Sequence, residues 1–199
     1  MPKKMSNTKK MLIEVARGLF AEKGKKNITM NDIAEASKKG RRTLYTYFNN
    51  KEEIYKSVID KELNSILDRL NIVSAQICEP DVKLTNHILA HLDAVKDVVN
   101  RNGSLRADFF HDIYEVERKR RKIDAKEIAL IRSILQDGIE KNIFKRMDLD
   151  MSSIIIFYAI KGLEVPYIRQ NISSDFEKNK NSIVEFVFMG IKKNIISNR

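Results

Sequence analysis

The chain has 199 residues, of which 43% are hydrophobic and 32% are charged, and its formal net charge is +10. This composition predicts one or two compact domains in a soluble, cytoplasmic protein. A single cysteine, Cys78, excludes an internal disulfide framework and a cysteine-based zinc cluster. The longest uninterrupted apolar run, 154–160, is far shorter than the roughly 20 residues of a membrane span, and the N-terminus lacks a signal-peptide pattern.

The positive charge is concentrated in the first third of the chain. Residues 1–60 contain 14 basic and 7 acidic residues, a net charge of +7, whereas the remainder has a net charge of only +3. A basic segment of this kind is typical of a surface that faces phosphates. A solvated surface or a membrane-adhesive one has the same charge, so charge alone does not decide between them.

The apolar periodicity predicts an all-α protein, because no segment alternates apolar and polar residues as a strand does. We predict nine helices, at about residues 8–23, 29–36, 41–47, 50–77, 81–101, 105–113, 118–141, 150–170 and 175–197. Gly24 is a stop signal for the first helix. Thr29 and Asp32 form a capping-box pattern at the start of the second, and Asn50 caps the fourth.

The last two predicted helices are unusually apolar. The run 154–160 is apolar on every side of a helix, and residues 183–191 are nearly so. A helix that is apolar all round is buried all round. In a chain of this size, the pattern predicts that a partner subunit covers one face.

The second and third predicted helices are short and closely connected, as in a helix-turn-helix unit whose third helix enters the DNA major groove. In the third helix, Leu44 and Phe48 share one face, and Arg42 and Thr46 lie on the opposite one. Arginine and threonine are suited to base edges and phosphates. The alternative interpretation is an ordinary amphipathic surface helix.

A longer sequence pattern favours the DNA-binding interpretation. The segments IAEA at 33–36 and TLYTYFNNKEEI at 43–54 closely resemble the DNA-binding signature of the TetR family of transcription regulators, and the likeness extends over about residues 8–60. The resemblance implies an N-terminal three-helix DNA-binding domain over 6–66, with its helix-turn-helix motif at about 29–48.

The same resemblance implies a C-terminal helical domain over 67–199 that dimerises and binds a ligand. The expected function is a ligand-responsive regulator, a repressor by the family's common mode, that binds a pseudo-palindromic operator as a homodimer. The homodimer is expected to form through the helices at about 150–170 and 175–197. The alternative is a basic nucleoid or membrane-surface protein that binds without sequence preference. We expect no enzymatic activity, no cofactor and no association with a membrane.

The resemblance also implies which residues touch DNA. The predicted DNA-binding residues are Thr29, Lys39, Gly40, Arg41, Arg42, Thr43, Tyr45, Tyr47 and Lys51. In this prediction Thr29 and Tyr47 contact phosphates, Thr43 and Tyr45 contact bases or backbone, and Lys51 contacts the flanking phosphate.

The turn before the third helix departs from the family pattern. Members usually have Gly-Val-Ser where this chain has Lys38-Lys39-Gly40. Lys38 would be strained in the left-handed conformation that the usual glycine tolerates, unless the turn is rebuilt around Gly40. The basic run 38–42 also predicts that binding depends more strongly on salt.

His87 and His91 are four residues apart, the spacing of two metal ligands on one helix face. No third ligand is fixed by the sequence, so we expect partly exposed or hydrogen-bonded histidines and no metal. A small, apolar effector is expected to contact a pocket lined by His87, His91, Phe109, Phe110, Tyr114 and Tyr158. These aromatic residues have the alternative of being ordinary core residues. Pro166 is expected to kink or end the eighth helix.

Overall fold

The computed structural model of the chain describes residues 5–103, 114–169 and 180–192. Its elements are α1 (Asn7–Lys23), a 3₁₀ turn (Lys25–Asn27), α2 (Met30–Ala36), α3 (Arg41–Tyr47), α4 (Lys51–Ser74), α5 (Pro80–Arg101), α6 (Tyr114–Glu140), α7 (Leu149–Arg169) and α8 (Lys180–Ile191). Within these ranges the only β-type pairing is an isolated bridge between Phe144 and Lys192. The predicted all-α fold is confirmed. The helix predicted at 105–113 lies outside the described residues.

The chain divides into two compact units. The first consists of Met1–Asn64 and Asp97–Arg120, and the second of Ser65–Lys96 and Arg121–Arg199. The divisions fall inside α4, α5 and α6, so each of these helices contributes residues to both units. The sequence predicted one domain boundary, near residue 66. In the structure, the first unit also contains a later segment of the chain, Asp97–Arg120.

The core of the first unit is formed by apolar side chains that recur at helical spacing. It contains Leu12, Ile13, Ala16, Phe20, Ile33, Ala34, Leu44, Phe48, Ile54 and Val58, all of them buried. Local signals define the ends of α1: the Ser6 side chain accepts a hydrogen bond from the Lys9 amide, and Gly24, at φ 78°, closes the helix. Burial of these side chains orients the three N-terminal helices.

The end of α5 is fixed within the first unit by polar contacts. Asn102 is fully buried and donates to Glu62 Oε2 over 2.9 Å, and Arg101 Nε donates to the same oxygen over 2.6 Å. Arg17 donates to the Arg101 carbonyl over 2.9 Å. Next to them, a Cβ added at Gly103 would lie 2.6 Å from the Ala21 carbonyl oxygen, so only glycine allows this close approach.

The core of the second unit is formed by α5 to α8 and by the segment after α6. Its buried residues include Leu84, Ile88, Leu92, Ile131, Ile134, Leu135, Phe144, Ile156, Phe157, Ile160, Tyr167 and Val184. The Phe144 ring lies directly on Gly138, where an added Cβ would be 2.0 Å from Cδ2 of the ring. The glycine inside α6 therefore provides the space for a core aromatic side chain.

Pro166 lies inside α7 and does not end it, because the helix continues to Arg169. A proline has no amide hydrogen, so the carbonyl of Gly162, four residues earlier, loses its helical donor. Gly162 is exposed, and water can replace that donor. Of the two predicted outcomes at Pro166, a kink or an end of the helix, the end is therefore wrong.

By length and composition alone, Leu149–Ile168 is apolar enough to cross a membrane. Several of its residues, among them Ile156, Phe157 and Ile160, belong instead to the core of the second unit. The same composition is expected of a helix that is buried on more than one side. We therefore interpret α7 as a core helix.

Candidate DNA-binding surface and buried polar centre

The turn between α2 and α3 keeps the left-handed conformation despite its unusual sequence. Lys38 has φ 52°, and its amide donates to the Glu35 carbonyl over 2.9 Å. The Lys39 amide donates to the Ala34 carbonyl over 3.1 Å, which completes a Schellman motif at the end of α2. Gly40 has φ −61° and ψ 148°, ordinary extended values. The turn is therefore not rebuilt around Gly40, and the conformational strain falls on Lys38.

The geometry of α3 separates an anchored face from an outward one. Leu44 is fully buried and Phe48, directly after the helix, is 1% exposed. Arg42 and Thr46 are exposed on the opposite side, and Tyr45 is 51% exposed. The helix thus presents cationic, hydroxyl and aromatic groups outward, which is the chemistry that groove binding requires.

Thr29 caps α2, as the sequence predicted. Its hydroxyl accepts from the Asp32 amide, and its own amide donates to the Asp32 carboxylate over 2.7 Å. The hydroxyl also donates to Asp32 Oδ2 over 2.7 Å. These hydrogen bonds lower the pKa of Asp32. In this state the hydroxyl hydrogen of Thr29 is directed at a carboxylate, and a phosphate contact would have to compete with it.

Two further residues that were predicted to contact DNA, Tyr47 and Lys51, form hydrogen bonds within the first unit. Hydrogen bonds with the side chains of Ser6 and then Thr8 lower the pKa of the half-buried Tyr47. Lys51, the first residue of α4, donates from Nζ to the Lys25 carbonyl over 2.8 Å. The phenol and the ammonium are thus oriented by neighbouring backbone and hydroxyl groups.

The other predicted DNA contacts lie at or near the surface of the same unit. Lys39, Gly40 and Arg41 are exposed, and Thr43 is half-buried. Asn50 caps α4 by accepting from the Glu53 amide over 2.9 Å, as predicted. The N-terminal ends of α2, α3 and α4 belong to one unit, as does most of the basic excess.

The second unit contains a buried polar centre formed by His87, His91, Glu127 and Glu164. These four residues are at most 4% exposed. His91 Nδ1 lies 2.7 Å from Glu127 Oε1, and His91 Nε2 lies 3.1 Å from Glu164 Oε1. His87 Nε2 lies 3.3 Å from Glu127 Oε1 without hydrogen-bond geometry, and among the described residues His87 Nδ1 has no hydrogen-bond partner. Three helices, α5, α6 and α7, meet through this centre.

The centre shifts the pKa values of its members in opposite directions. Burial alone would lower the pKa of His91, but its hydrogen bonds to Glu127 and Glu164, with their charges, raise it to about 9. Burial would raise the pKa of Glu127, but the contacts with His87 and His91 lower it to about 2. His91 is therefore an imidazolium that donates from both ring nitrogens to carboxylates.

Neither carboxylate of the centre was predicted from the sequence. The helical spacing identified His87 and His91, but Glu127 and Glu164 lie 36 and 73 residues from His91. Across the described residues, no group of three His, Cys, Asp or Glu side chains has the arrangement of a metal site. With both nitrogens of His91 occupied, the geometry is that of an ion-pair network.

The aromatic residues predicted to line a pocket are not brought together at this centre by the described part of the chain. Phe109 and Phe110 lie outside the described residues. Tyr114 begins α6, and its side chain is outside the described set. Tyr158 is 60% exposed and packs edge-on against Phe157, with ring centroids 5.2 Å apart. In the single chain, Tyr158 belongs to an exposed face of α7 and not to a buried pocket.

A third helix that is held against two others by a tight turn, and that exposes arginine and threonine, defines a helix-turn-helix DNA-binding protein. Residues 12–58 match the family model described as bacterial regulatory proteins, tetR family. This match identifies residues 12–58 as a DNA-binding segment of the TetR type, and the relatives of the chain support a transcriptional regulator of that family.

Relatives match over nearly the whole chain. An uncharacterised helix-turn-helix regulator of Bacillus subtilis, YhgD, is 23% identical over 94% of this chain and 97% of its own length. A solved transcriptional regulator from Cytophaga hutchinsonii has a TM-score of 0.77 at 23% identity, covering 94% of this chain and 100% of its own. A TetR/AcrR regulator from Thermobifida fusca has a TM-score of 0.73 at 18% identity, covering 93% and 98%. These likenesses support the fold.

Proposed function

We propose that the protein is a ligand-responsive repressor that binds a pseudo-palindromic operator as a homodimer. The observation that carries the proposal is the exposed, basic recognition helix α3, anchored by Leu44 and preceded by the lysine-rich turn. The remaining predicted contacts support it, since Thr43, Tyr45 and Tyr47 flank the outward face of the same helix. In such units the N-terminal residues of the recognition helix reach base edges.

A DNA-binding selection tests this function. The full chain is incubated with random and genomic fragments at moderate salt, and retained fragments are sequenced. We expect an enriched palindrome, preferred over random DNA by roughly 10³-fold or more. The double variant Thr43→Ala, Tyr47→Phe should abolish the enrichment. The control variant Thr85→Ala, a threonine substitution in the second unit and outside the proposed DNA-binding and dimer surfaces, should retain it. Uniform retention by the unmodified chain would instead favour a basic nucleoid or membrane-surface protein.

The homodimer is proposed to form through α7 and α8. In the single chain these helices expose large apolar side chains at helical spacing: Met151, Ile154, Ile155, Tyr158, Phe186 and Met189. Phe186 and Met189 are 78% and 77% exposed, which is costly unless a second surface covers them. A two-fold axis would place the same patch on both subunits.

Charge insertion tests the dimer. Ile155→Glu and Phe186→Glu should each shift the chain from dimer to monomer in light scattering, and should weaken binding to a two-half-site operator. Val82→Glu is the control, because Val82 is an exposed apolar residue of α5, outside the proposed interface. An unmodified chain that is monomeric at micromolar concentration would contradict the proposal.

The effector is proposed to be a small, largely apolar molecule bound by the second unit. Two comparisons support this class: a relative from Bacillus subtilis, 22% identical over 90% of this chain, is named a fatty acid metabolism regulator, and a solved neighbour from Mycobacterium tuberculosis is named a ketosteroid transcriptional regulator. A structural neighbour from Saccharomonospora viridis was solved with choline, so the fold also accepts a cation. Decan-1-ol, decanoate and choline are suitable probes. An effector of the proposed class should release the operator and raise the melting temperature, and release by choline alone would contradict it.

A further inference from the structure

Within α3, Arg42 and Thr46 form the line of residues furthest from the core. At about 100° per residue, both lie nearly opposite Leu44, the buried anchor of the helix. Both are exposed, whereas Thr43 and Tyr47 beside them are half-buried. If α3 lies in a groove, these two side chains approach the base edges most closely.

The hydroxyl of Thr46 is already engaged within its own helix. Its Oγ1 donates to the carbonyl oxygen of Arg42 over 2.9 Å, the usual back-bond of a threonine to the preceding turn. The hydroxyl has therefore no hydrogen left to donate to a ligand, although its oxygen can still accept, and the methyl group is free for an apolar contact. In the major groove, the apolar feature that a threonine methyl contacts is the C5-methyl group of thymine.

Arg42, in contrast to the apolar methyl group of Thr46, offers a charged group with hydrogen-bond donors. It is the second residue of α3, at the helix end that reaches base edges in helix-turn-helix proteins. Its guanidinium is exposed, and the described part of the chain offers it neither a hydrogen bond nor an ion pair. A planar guanidinium with free donors fits the O6 and N7 acceptors of guanine in bidentate fashion, the commonest specific contact in the major groove.

We propose that, in each operator half-site, Arg42 reads a guanine and Thr46 reads the methyl group of a neighbouring thymine. This inference depends on the DNA-binding function proposed above. The two residues are one helical turn apart, which is about 6 Å along the axis. Base pairs are stacked at about 3.4 Å. The guanine and the thymine therefore lie one or two base pairs apart.

Atomic substitution in the DNA tests each contact separately. The duplex enriched by the unmodified chain is synthesised with 7-deazaguanine in place of one guanine, which removes N7, or with deoxyuridine in place of one thymine, which removes only the methyl group. We expect one guanine position in each half-site at which affinity falls about tenfold. We also expect one thymine position, one or two pairs away, at which it falls about fourfold.

Variants assign each loss to a side chain. In Arg42→Ala the 7-deazaguanine penalty should vanish and the deoxyuridine penalty should remain. In Thr46→Ser, which keeps the hydroxyl and removes the methyl, the reverse is expected. Arg41→Ala and Tyr45→Phe are controls that should keep both penalties, because Arg41 lies at the edge of the outward face and Tyr45 keeps its ring.

The outcomes distinguish a failure of this inference from a failure of the DNA-binding function on which it depends. If the unmodified chain enriches no sequence, the proposed function fails and the inference fails with it. If it enriches an operator but tolerates deoxyuridine at every thymine, or if the penalties persist in Thr46→Ser and Arg42→Ala, the base assignment is overturned and the regulator remains. Removal of each penalty by its own variant alone is the result that supports both contacts.

Discussion

The recognition region of the first unit, formed by the turn and α3, and the polar centre of the second unit place their ionisable side chains in opposite ways. In the first unit the basic residues of the turn and of α3 are exposed, and the backbone that holds them is fixed by hydrogen bonds between residues at most five apart. In the second unit, His91 is buried between two carboxylates that lie 36 and 73 residues away. One set of charges faces outward, and the other joins distant parts of the chain.

This difference predicts a division of roles. An exposed charge contributes little to folding but meets a charged ligand directly. A buried pair that loses one member leaves the other unpaired in a poorly solvated interior. Substitutions in the turn and α3 should therefore change DNA binding with small effects on stability. Substitutions at the polar centre should change stability first.

The largest effect is expected at Glu127. Glu127→Ala leaves the His91 imidazolium with only Glu164, and should lower the free energy of unfolding by about 3–5 kcal/mol in urea titrations. Glu140→Ala, on the exposed surface of α6 and outside the proposed dimer interface, is the control and should change it by less than about 0.5 kcal/mol. A loss of less than about 1 kcal/mol for Glu127→Ala would remove the distinction between the two units.

The polar centre also predicts a dependence of stability on pH. Because the pKa of His91 is raised from 6.5 to about 9, its contribution is complete below pH 6.5 and is lost as pH rises to 9. The pKa of Glu127 is lowered from 4.5 to about 2, so its contribution is complete above pH 4.5 and is lost towards pH 2.

Melting temperatures measured from pH 2 to pH 10 should therefore be highest between pH 4.5 and 6.5. Between pH 6.5 and 9 the free energy of unfolding should fall by about 3 kcal/mol, and this fall should disappear in His91→Phe. An alkaline loss of the same size in His91→Phe would assign it to other groups.

A smaller effect, a gain in stability, is expected at the turn of the first unit. Lys38→Gly removes the strain of a positive φ and should stabilise the protein by about 1 kcal/mol. Lys38→Ala removes the same charge but keeps a Cβ, and should give no such gain. Equal stabilisation by both variants would show that charge repulsion, and not backbone conformation, was relieved.

The smallest effect concerns the salt dependence of operator binding. Lys39→Ala should weaken binding uniformly across sequences, and should reduce the slope of log K against log salt by about 1, because one phosphate contact is lost. Lys141→Ala, an exposed lysine of the second unit paired with Asp137, should leave the slope unchanged. A change of stability in Lys39→Ala would contradict the proposed division of roles.

The sequence predicted the first unit well because its signals are local. The Thr29–Asp32 capping box, the Asn50 cap and the glycine after α1 each act within a few residues, and all of them form as expected. For the turn before α3, the sequence allowed two conformations: a strained left-handed Lys38, or a turn rebuilt around Gly40. The choice depends on the Schellman hydrogen bonds at the end of α2, which fix the conformation whatever the side chain.

The polar centre could be only half predicted. Two histidines four residues apart share a helix face by geometry, but a glutamate on another helix has no local signal that marks it as a partner. Glu127 and Glu164 look like the ordinary polar positions of amphipathic helices. Tertiary packing turns them inward, and the helical periodicity of α6 and α7 does not reveal which polar residue will be buried.

The contact between Gly138 and Phe144 restricts which sequences this fold can accept. Any side chain at 138 would occupy the volume of the aromatic ring, whereas a methyl group at Gly18, Gly40, Gly162 or Gly190 would meet no atom within 4 Å. These five glycines look equivalent in a composition count. Their tolerance of substitution should differ. Position 138 should remain glycine in natural homologues and in designed variants, unless position 144 changes with it.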